Sequence, residues 1–293
     1  MTTEYHIPVM AETAAEFLVG NPAGTCVDCT LGGGGHTAYL LERYPLLHII
    51  GIDCDAQAIA VAGERLAVFG DRVRLVRDNF KNIRTVINDC GLTTVDGVLA
   101  DLGVSSRQFD DKLRGFSFES PILDMRMDDR DGSGAMDLVN TTEEGALADI
   151  LYRYGDERRS RQIARRIVES RRIQRITSGA ELADIVASAK RRTGRTHPAT
   201  TVFQALRIAV NGEMDNLRSL LDAIPLVVNT GGRAVVISYH SLEDRMVKQS
   251  FRSLRLREEG GAVLLTKKPR EASDEEISVN PRSRSAKLRA IQL

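Results

Sequence analysis

The stretch Asp28-Cys29-Thr30-Leu31-Gly32-Gly33-Gly34-Gly35-His36 decides how this chain reads. An apolar run, Cys26 to Leu31, enters the glycines, and His36 to Arg43 follows with helical character, its apolar positions being Ala38, Leu40 and Leu41. Glycine is needed where a ligand must approach the backbone closely, because a β-carbon would fill that space, and the start of the following helix offers free N–H groups. Asp53 closes the next apolar run about 20 residues on, where an acid commonly pairs the two hydroxyls of a ribose. Strand, glycine loop, helix and acid in this order predict a site for an adenosine-containing ligand, with a purely structural tight turn as the plain alternative.

Two details separate the candidate ligands. A carboxylate at Asp28 suits the amino-acid end of S-adenosylmethionine, whereas it would repel the pyrophosphate of NAD. The run Gly32 to Gly35 also does not match G-x-G-x-x-G, since the sixth position would be Thr37. S-adenosylmethionine is therefore the expected cofactor and NAD the runner-up.

Working outward, Leu47 to Asp53, Val73 to Arg77, Val95 to Leu102 and Gly232 to Ser238 read as further strands, with helices over Ala56 to Phe69 and Phe80 to Asn88. That alternation predicts βαβ units and a mostly parallel sheet covered on both faces. From Phe109 to His197 the strand pattern stops, and Thr142 to Tyr154, Asp156 to Ile173 and Ser178 to Arg191 read as helices. A long amphipathic helix, Thr201 to Leu221, precedes the fifth strand, and Ala262 to Thr266 and Lys287 to Leu293 read as the last strands. The expected organisation is an α/β domain built from residues 1–108 and 201–293, with an inserted helical domain at 109–200 that recognises the substrate.

Composition bounds the function. The chain has 293 residues, with 40 Lys plus Arg balanced by 40 Asp plus Glu, so any contact with nucleic acid must be local. Hydrophobic residues at 42% and charged residues at 27% sit near globular averages and argue against a disordered chain or a rod. No window approaches the roughly 18 apolar residues of a membrane helix, and Met1 to Met10 lacks the pattern of an export signal, so a cytoplasmic protein with no membrane partner is expected. Four cysteines in a chain of this length do not form a disulfide framework.

Ligands of open α/β sheets bind beyond the carboxyl ends of the strands. The third strand ends in Arg77-Asp78-Asn79-Phe80, an aromatic able to stack on adenine after a polar pair. The fourth ends in Asp101-Leu102-Gly103-Val104-Ser105-Ser106-Arg107-Gln108, and the fifth in Ser238-Tyr239-His240-Ser241-Leu242-Glu243-Asp244-Arg245. Ser241 with Asp244 reads as a capping box, which leaves His240 just before it as a candidate site residue. Arg158, Arg161, Arg165 and Arg172 recur at helical spacing with Ile163 and Ile167 opposite, a stripe able to follow an RNA phosphate backbone. A solvated face paired with Glu157 and Glu169 is the alternative. Arg282, Arg284, Lys287 and Arg289 form a second basic candidate.

Three motifs are rejected. In a strand, the side chains of Cys26-x-x-Cys29 point to opposite faces and no second pair exists. Asp129, Asp131 and Gly132 fit three positions of a calcium loop, but Met127 and Leu138 would stand at its first and last ligand positions. The histidines are too scattered for a zinc site, so no metal is expected.

These residues carry a resemblance. His6-Ile7-Pro8-Val9-Met10, Asp28 to His36, Asp101 to Ser106, Arg114-Gly115-Phe116-Ser117-Phe118, Leu123-Asp124-Met125-Arg126-Met127-Asp128, His197-Pro198-Ala199-Thr200, Ser238 to Arg245 and Asn280-Pro281-Arg282-Ser283-Arg284-Ser285 follow one another as in the RsmH (MraW) family. The resemblance implies a class I, Rossmann-like methyltransferase domain with an inserted helical domain. It implies S-adenosylmethionine-dependent methylation of the 4-amino group of a cytidine in the decoding centre of bacterial small-subunit (16S) ribosomal RNA; a ribosomal particle is the expected partner, with naked RNA as the alternative. Cofactor contacts are implied at Gly34, Gly35, His36, Asp53, Phe80, Asp101 and Gln108. Many amino-methyltransferases carry Asn/Asp-Pro-Pro-aromatic after the fourth strand; here Asp101 is followed by Leu102-Gly103-Val104, so a stacking group must come from elsewhere. Asp101 and His240 are the expected catalytic residues. No cysteine follows the fourth or fifth strand, which predicts direct transfer without a covalent enzyme–base intermediate. An NAD-dependent oxidoreductase and a non-catalytic RNA-binding factor are the competing classes.

Overall fold

The computed structural model describes residues 8–130, 132–190, 197–256 and 261–293. His6, Ile7, Asp131 and Arg191 of the stretches above lie outside them. Helix α1 (Ala11–Leu18) precedes β1 (Thr25–Asp28), after which α2 (Gly35–Arg43), β2 (His48–Asp53), α3 (Ala56–Leu66), β3 (Val73–Arg77), α4 (Ile83–Asp89) and β4 (Val95–Asp101) alternate. Then come α5 (Ser106–Asp110), α6 (Ala135–Thr141), α7 (Glu144–Gly155), α8 (Ser160–Ile173), α9 (Gly179–Ala189) and α10 (Thr200–Asn211). The chain ends through α11 (Glu213–Val227), β5 (Val228–Ser238), α12 (Ser241–Arg255), β6 (Val263–Leu264), β7 (Arg270–Glu271), α13 (Asp274–Val279) and β8 (Lys287–Gln292).

Strands β1 to β5 are parallel in the order β3-β2-β1-β4-β5, and β8 runs antiparallel beside β5 with β6 and β7 on its far side. This is the Rossmann-like class I methyltransferase arrangement that the resemblance implied. Because both faces are covered, alternate residues of one strand enter different cores. Val27, Ile50, Val98 and Val236 pack with Ile83, Leu220 and Phe251 on one face, while Cys26, Ile49, Leu99 and Val235 pack with Leu18 and Leu41 on the other. Cys26 and Cys29 fall into these separate cores, so they form no paired site.

The compact units are residues 1–103 with 214–293, and residues 104–213. The first boundary falls at 103/104 against the expected 108/109, and the second falls at 213/214 against 200/201 because the long helix read from Thr201 to Leu221 is two helices. Gly212, at φ 58°, ends α10 in the left-handed region where a β-carbon is disfavoured. Val202, Phe203 and Leu206 of α10 then join Leu147, Leu151, Ile163, Ile167 and Leu182 in the core of the helical unit. Phe80 to Asn88 likewise divides into a 3-10 turn, Phe80–Asn82, and α4. The short α1 and α6 escaped the periodicity argument because each shows only about two turns.

Local chemistry sets several helix starts. Asp55 caps α3 by accepting from the Gln57 N–H at 2.9 Å, and Ser178 with Glu181 forms a capping box at α9. In α12 the cap lies one residue earlier than expected. His240 is the N-cap and Glu243 its reciprocal partner, while Ser241 is the first helical residue.

Two glycines of α7 test the packing with opposite signs. A β-carbon on Gly155 would run into the Thr201 carbonyl oxygen, whereas one on Gly145 meets nothing within 4 Å. Gly155→Ala should lower stability by about 2 kcal/mol through overpacking, and Gly145→Ala should raise it by about 0.5 kcal/mol. Urea unfolding followed by circular dichroism checks both.

Candidate active site

The carboxyl ends of β1, β2 and β4 place Asp28, Asp53 and Asp101 along one edge of the sheet. Asp28 is buried, accepting from the Thr37 hydroxyl at 2.7 Å and the Thr30 N–H at 3.3 Å. Burial pushes its carboxyl above the ordinary value, against the opposing pull of His36 and Thr37. These contacts make Asp28 a brace inside the glycine loop.

That loop is shaped by its acids. Gly32, at φ 51°, donates its N–H to Oδ2 of Asp53 at 2.8 Å, and Asp55 donates to Oδ1 at 2.9 Å. Burial raises the Asp53 carboxyl to about 6, with these two N–H groups pulling the other way. Gly34, at φ 75°, is the N-cap of α2, and a β-carbon there would press on Leu66 at 3.0 Å. A β-carbon on Gly35 would approach Pro8 at 3.3 Å, so the protein's own packing also crowds these glycine positions. The Asp78 N–H bonds the Asp53 carbonyl at 3.1 Å, joining the end of β3 to this loop, and Phe80 lies half-buried against the core just beyond.

Asp101 is the centre of the site. Its Oδ2 lies 3.3 Å from Nε2 of His36, its Oδ1 accepts from the Tyr239 hydroxyl at 2.7 Å, and its own N–H bonds the Thr30 hydroxyl at 2.6 Å. Burial alone would push the His36 imidazole down, but the hydrogen bond and charge of Asp101, joined by Asp28, reverse this and leave it raised. Tyr239 is held well above its ordinary range by burial and then by Asp101, so it remains a hydrogen-bond donor. Tyr239 has no role that its local sequence reveals. Its place directly after β5, beside β4 in the sheet, was the available signal.

The other candidates are distributed differently. His240 caps α12, with Nδ1 3.5 Å from the Glu243 N–H, and Nε2 3.1 Å from Oε1 of Glu243 with no hydrogen bond made. The ring thus has a structural task that the reading had given to Ser241. Gln108 belongs to the helical unit, where it forms the capping box of α5 with Ser105. In that unit Arg161, Arg165 and Arg172 are exposed on α8, opposite the buried Ile163 and Ile167, but Arg158 precedes the helix. Glu157 is buried against Lys190 and Thr201 and Glu169 faces Arg166, so neither neutralises the stripe; the acid nearest to it is Glu144, 3.9 Å from Arg165. Arg282 and Arg284 lie exposed in the 3-10 turn Pro281–Ser285. Arg289, grouped with the second basic candidate, is instead buried and bonds both oxygens of Asp244 at 2.7 and 3.1 Å.

From residue 3 to residue 293 the chain that builds this site matches the model of the MraW methylase family. The chain belongs to this family. It is therefore a methylase, and S-adenosylmethionine is its methyl donor. Among curated relatives, a protein of Endomicrobium trichonymphae called Ribosomal RNA small subunit methyltransferase H is 49% identical over 288 residues, covering 98% of both chains. One of the same name from Picosynechococcus sp. is 50% identical over 296 residues, covering 100% of this chain and 98% of the relative. Within this MraW methylase the half-buried Asp53 carboxylate, held at the end of β2 beside the glycine loop, fits an adenosine-bearing donor.

The His36–Asp101 pair has a direct readout. Replacing Asp101 with Asn removes the hydrogen-bonded charge that raises His36, so the imidazole pKa should fall when followed by ring proton and carbon shifts. A value that stays where it is would show that the pair does not form in solution.

Proposed function

We propose that this methylase transfers a methyl group to the exocyclic 4-amino group of a cytidine in the decoding centre of bacterial small-subunit ribosomal RNA, presented within a ribosomal particle. The names of its relatives support the RNA class. The carrying observation is the Asp101 carboxylate, fixed from two sides at the end of β4. Bound S-adenosylmethionine supplies an electrophilic methyl group. The chain's own residues must orient a weakly nucleophilic amine, whose lone pair is delocalised into the base, and accept the proton that it loses. A carboxylate has about four acceptor positions, so the bonds to Tyr239 and His36 leave others open for an amine N–H.

In this mechanism Asp101 is the proton acceptor, and Tyr239 and His36 are positioning residues that hold its plane. Asp53 binds the ribose hydroxyls, Gly34 and Gly35 admit the cofactor at the start of α2, and Phe80 supports the adenine. His36 contributes through Asp101. Gln108 is retained as a cofactor contact on the family resemblance alone, and His240 serves as the cap through which Tyr239 is placed. Arg161, Arg165 and Arg172 of α8, with Arg158, Arg282 and Arg284, take RNA phosphates.

Hydroxyl donors bind the ionised form of Asp53, so protonation competes with the cofactor. Affinity for S-adenosylmethionine should be flat above about pH 7 and weaken below about 6 toward a tenfold loss per pH unit. Asp53→Ala should weaken binding about tenfold or more and abolish this pH dependence, measured by titration calorimetry. An unchanged dissociation constant would place the ribose elsewhere.

Methylation at ring carbon 5 would require a cysteine nucleophile. Burial pushes the Cys26 thiol up to about 12 and the Cys29 thiol well above its ordinary value, which removes both as nucleophiles. A folded, cofactor-binding variant lacking Cys26, Cys29, Cys54 and Cys90 should retain substantial transfer, and nucleoside mass analysis of the RNA should show 4-methylcytidine. Covalent trapping of the wild type on RNA carrying 5-fluorocytidine would overturn the amino-transfer reading.

A further inference from the structure

Besides the basic residues of α8 and of the 3-10 turn before β8, the methyltransferase unit carries a further group of cations in α12. Arg245, Lys248, Arg252 and Arg255 follow one another at spacings of three, four and three residues, which places them on one face of that helix. Val247, Phe251 and Leu254 are buried on the other side. After Asp244 the helix has no acidic residue. Its two acids are already committed. Asp244 bonds Arg289 through both oxygens, and Glu243 accepts from the Tyr239 N–H at 2.9 Å and the His240 N–H at 3.3 Å.

A residue distant in sequence joins this face. Lys248, Arg252 and Lys267 line one crevice, floored by Phe251, Thr266 and Arg289. Thr266 is buried and accepts from the Ala290 N–H at 3.0 Å, which ties the turn carrying Lys267 to β8. Arg289 is held by Asp244 through both carboxylate oxygens, so this neutral pair fixes the floor of the crevice without adding to its charge. Lys248, Arg252 and Lys267 are exposed and have no ion-pair partner among the described residues. Three such cations converge on one crevice in a chain whose 40 basic and 40 acidic residues otherwise balance. Like charges that approach one another repel, so an arrangement held by a helix, a strand-anchored turn and a buried ion pair is matched by an anion.

We propose that the crevice between α12 and the turn after β6, bounded by Lys248, Arg252 and Lys267, is a phosphate-backbone contact for the substrate RNA on the methyltransferase unit itself. The proposal rests on the RNA-methylation reading. Lysine and arginine at this spacing neutralise backbone phosphates without reading bases, and their contribution falls with salt as counterions are released. The crevice therefore supplies affinity and register, while the choice of nucleotide lies with the strand-end site.

The test uses the full chain loaded with S-adenosylmethionine and unmethylated small-subunit ribosomal RNA made by transcription. In the variant Lys248→Ala, Arg252→Ala, Lys267→Ala, RNA affinity at about 0.1 M salt should fall about tenfold or more, and the salt slope should flatten by about two units. Melting temperature and cofactor affinity should match the wild type. A comparison variant, Arg43→Ala, Arg84→Ala, Arg218→Ala, removes the same charge from exposed positions elsewhere on the unit and should change affinity less than about twofold. Lys248→Arg with Lys267→Arg should bind as the wild type does. The proposal is overturned if the crevice variant behaves like the comparison variant. It is also overturned if inorganic phosphate binds the crevice while RNA affinity is indifferent to the three substitutions, which would make it a small-anion site. Failure of the wild type to methylate this RNA, alone or in a small-subunit particle, would instead sink the functional reading on which the proposal stands.

Discussion

Parallel pairing of β1 with β2 on one side and β4 on the other is the constraint on which the site depends. Parallel strands end at the same edge, so one register that sets Asp28 beside Gly51 and Leu99 also brings Asp53 and Asp101 to that edge. The charges cannot move into the interior, because the residues behind them, Val27, Ile52 and Ala100, are fully buried in the core. Three carboxylates near one another would repel if left bare. Each is instead held by local donors: Thr37 and Thr30 for Asp28, Gly32 and Asp55 for Asp53, Tyr239 and His36 for Asp101.

These bonds do different work. Those to Asp28 are internal to the loop and give it shape, while Asp53 retains a raised pKa that hydrogen bonds from a ligand would lower. Asp101 draws its partners from two other elements, α2 and the residue after β5, so its orientation depends on the packing of both. Glu276 of α13 adds to this enclosure. It accepts the Met10 N–H at 2.6 Å and its charge raises both His36 and Tyr239, linking the last part of the chain to the first around the same site.

Basic charge is organised by the same economy. Arg289 and Asp244 satisfy one another below the surface, as do Arg207 and Glu213 in the helical unit, where Nε lies 2.7 Å from the carboxylate. Exposed cations gather where acids are sparse: α12 has none after Asp244, and along α8 the pairs of Arg165 with Glu144 and Arg166 with Glu169 are long and exposed. Net neutrality over the chain therefore coexists with local fields strong enough to meet a polyanion.

Much of this was legible in the amino-acid order. Alternating apolar runs and helical segments specified the parallel sheet, because a strand buried on both faces must be apolar throughout and a crossover helix must show one apolar face. The glycine loop, Asp53 and Asp101 were found because strand ends are local features of a sequence. What lay outside it were relations between elements. The break at Gly212 depends on the packing of α10 against α7, and a glycine inside an amphipathic pattern does not announce whether the helix ends there. The shift of the cap from Ser241 to His240 turns on one backbone conformation. Tyr239 meets Asp101, and Arg289 meets Asp244, across 138 and 45 residues of chain. Periodicity names the face on which a side chain lies, but only the folded sheet decides which other side chain it meets there.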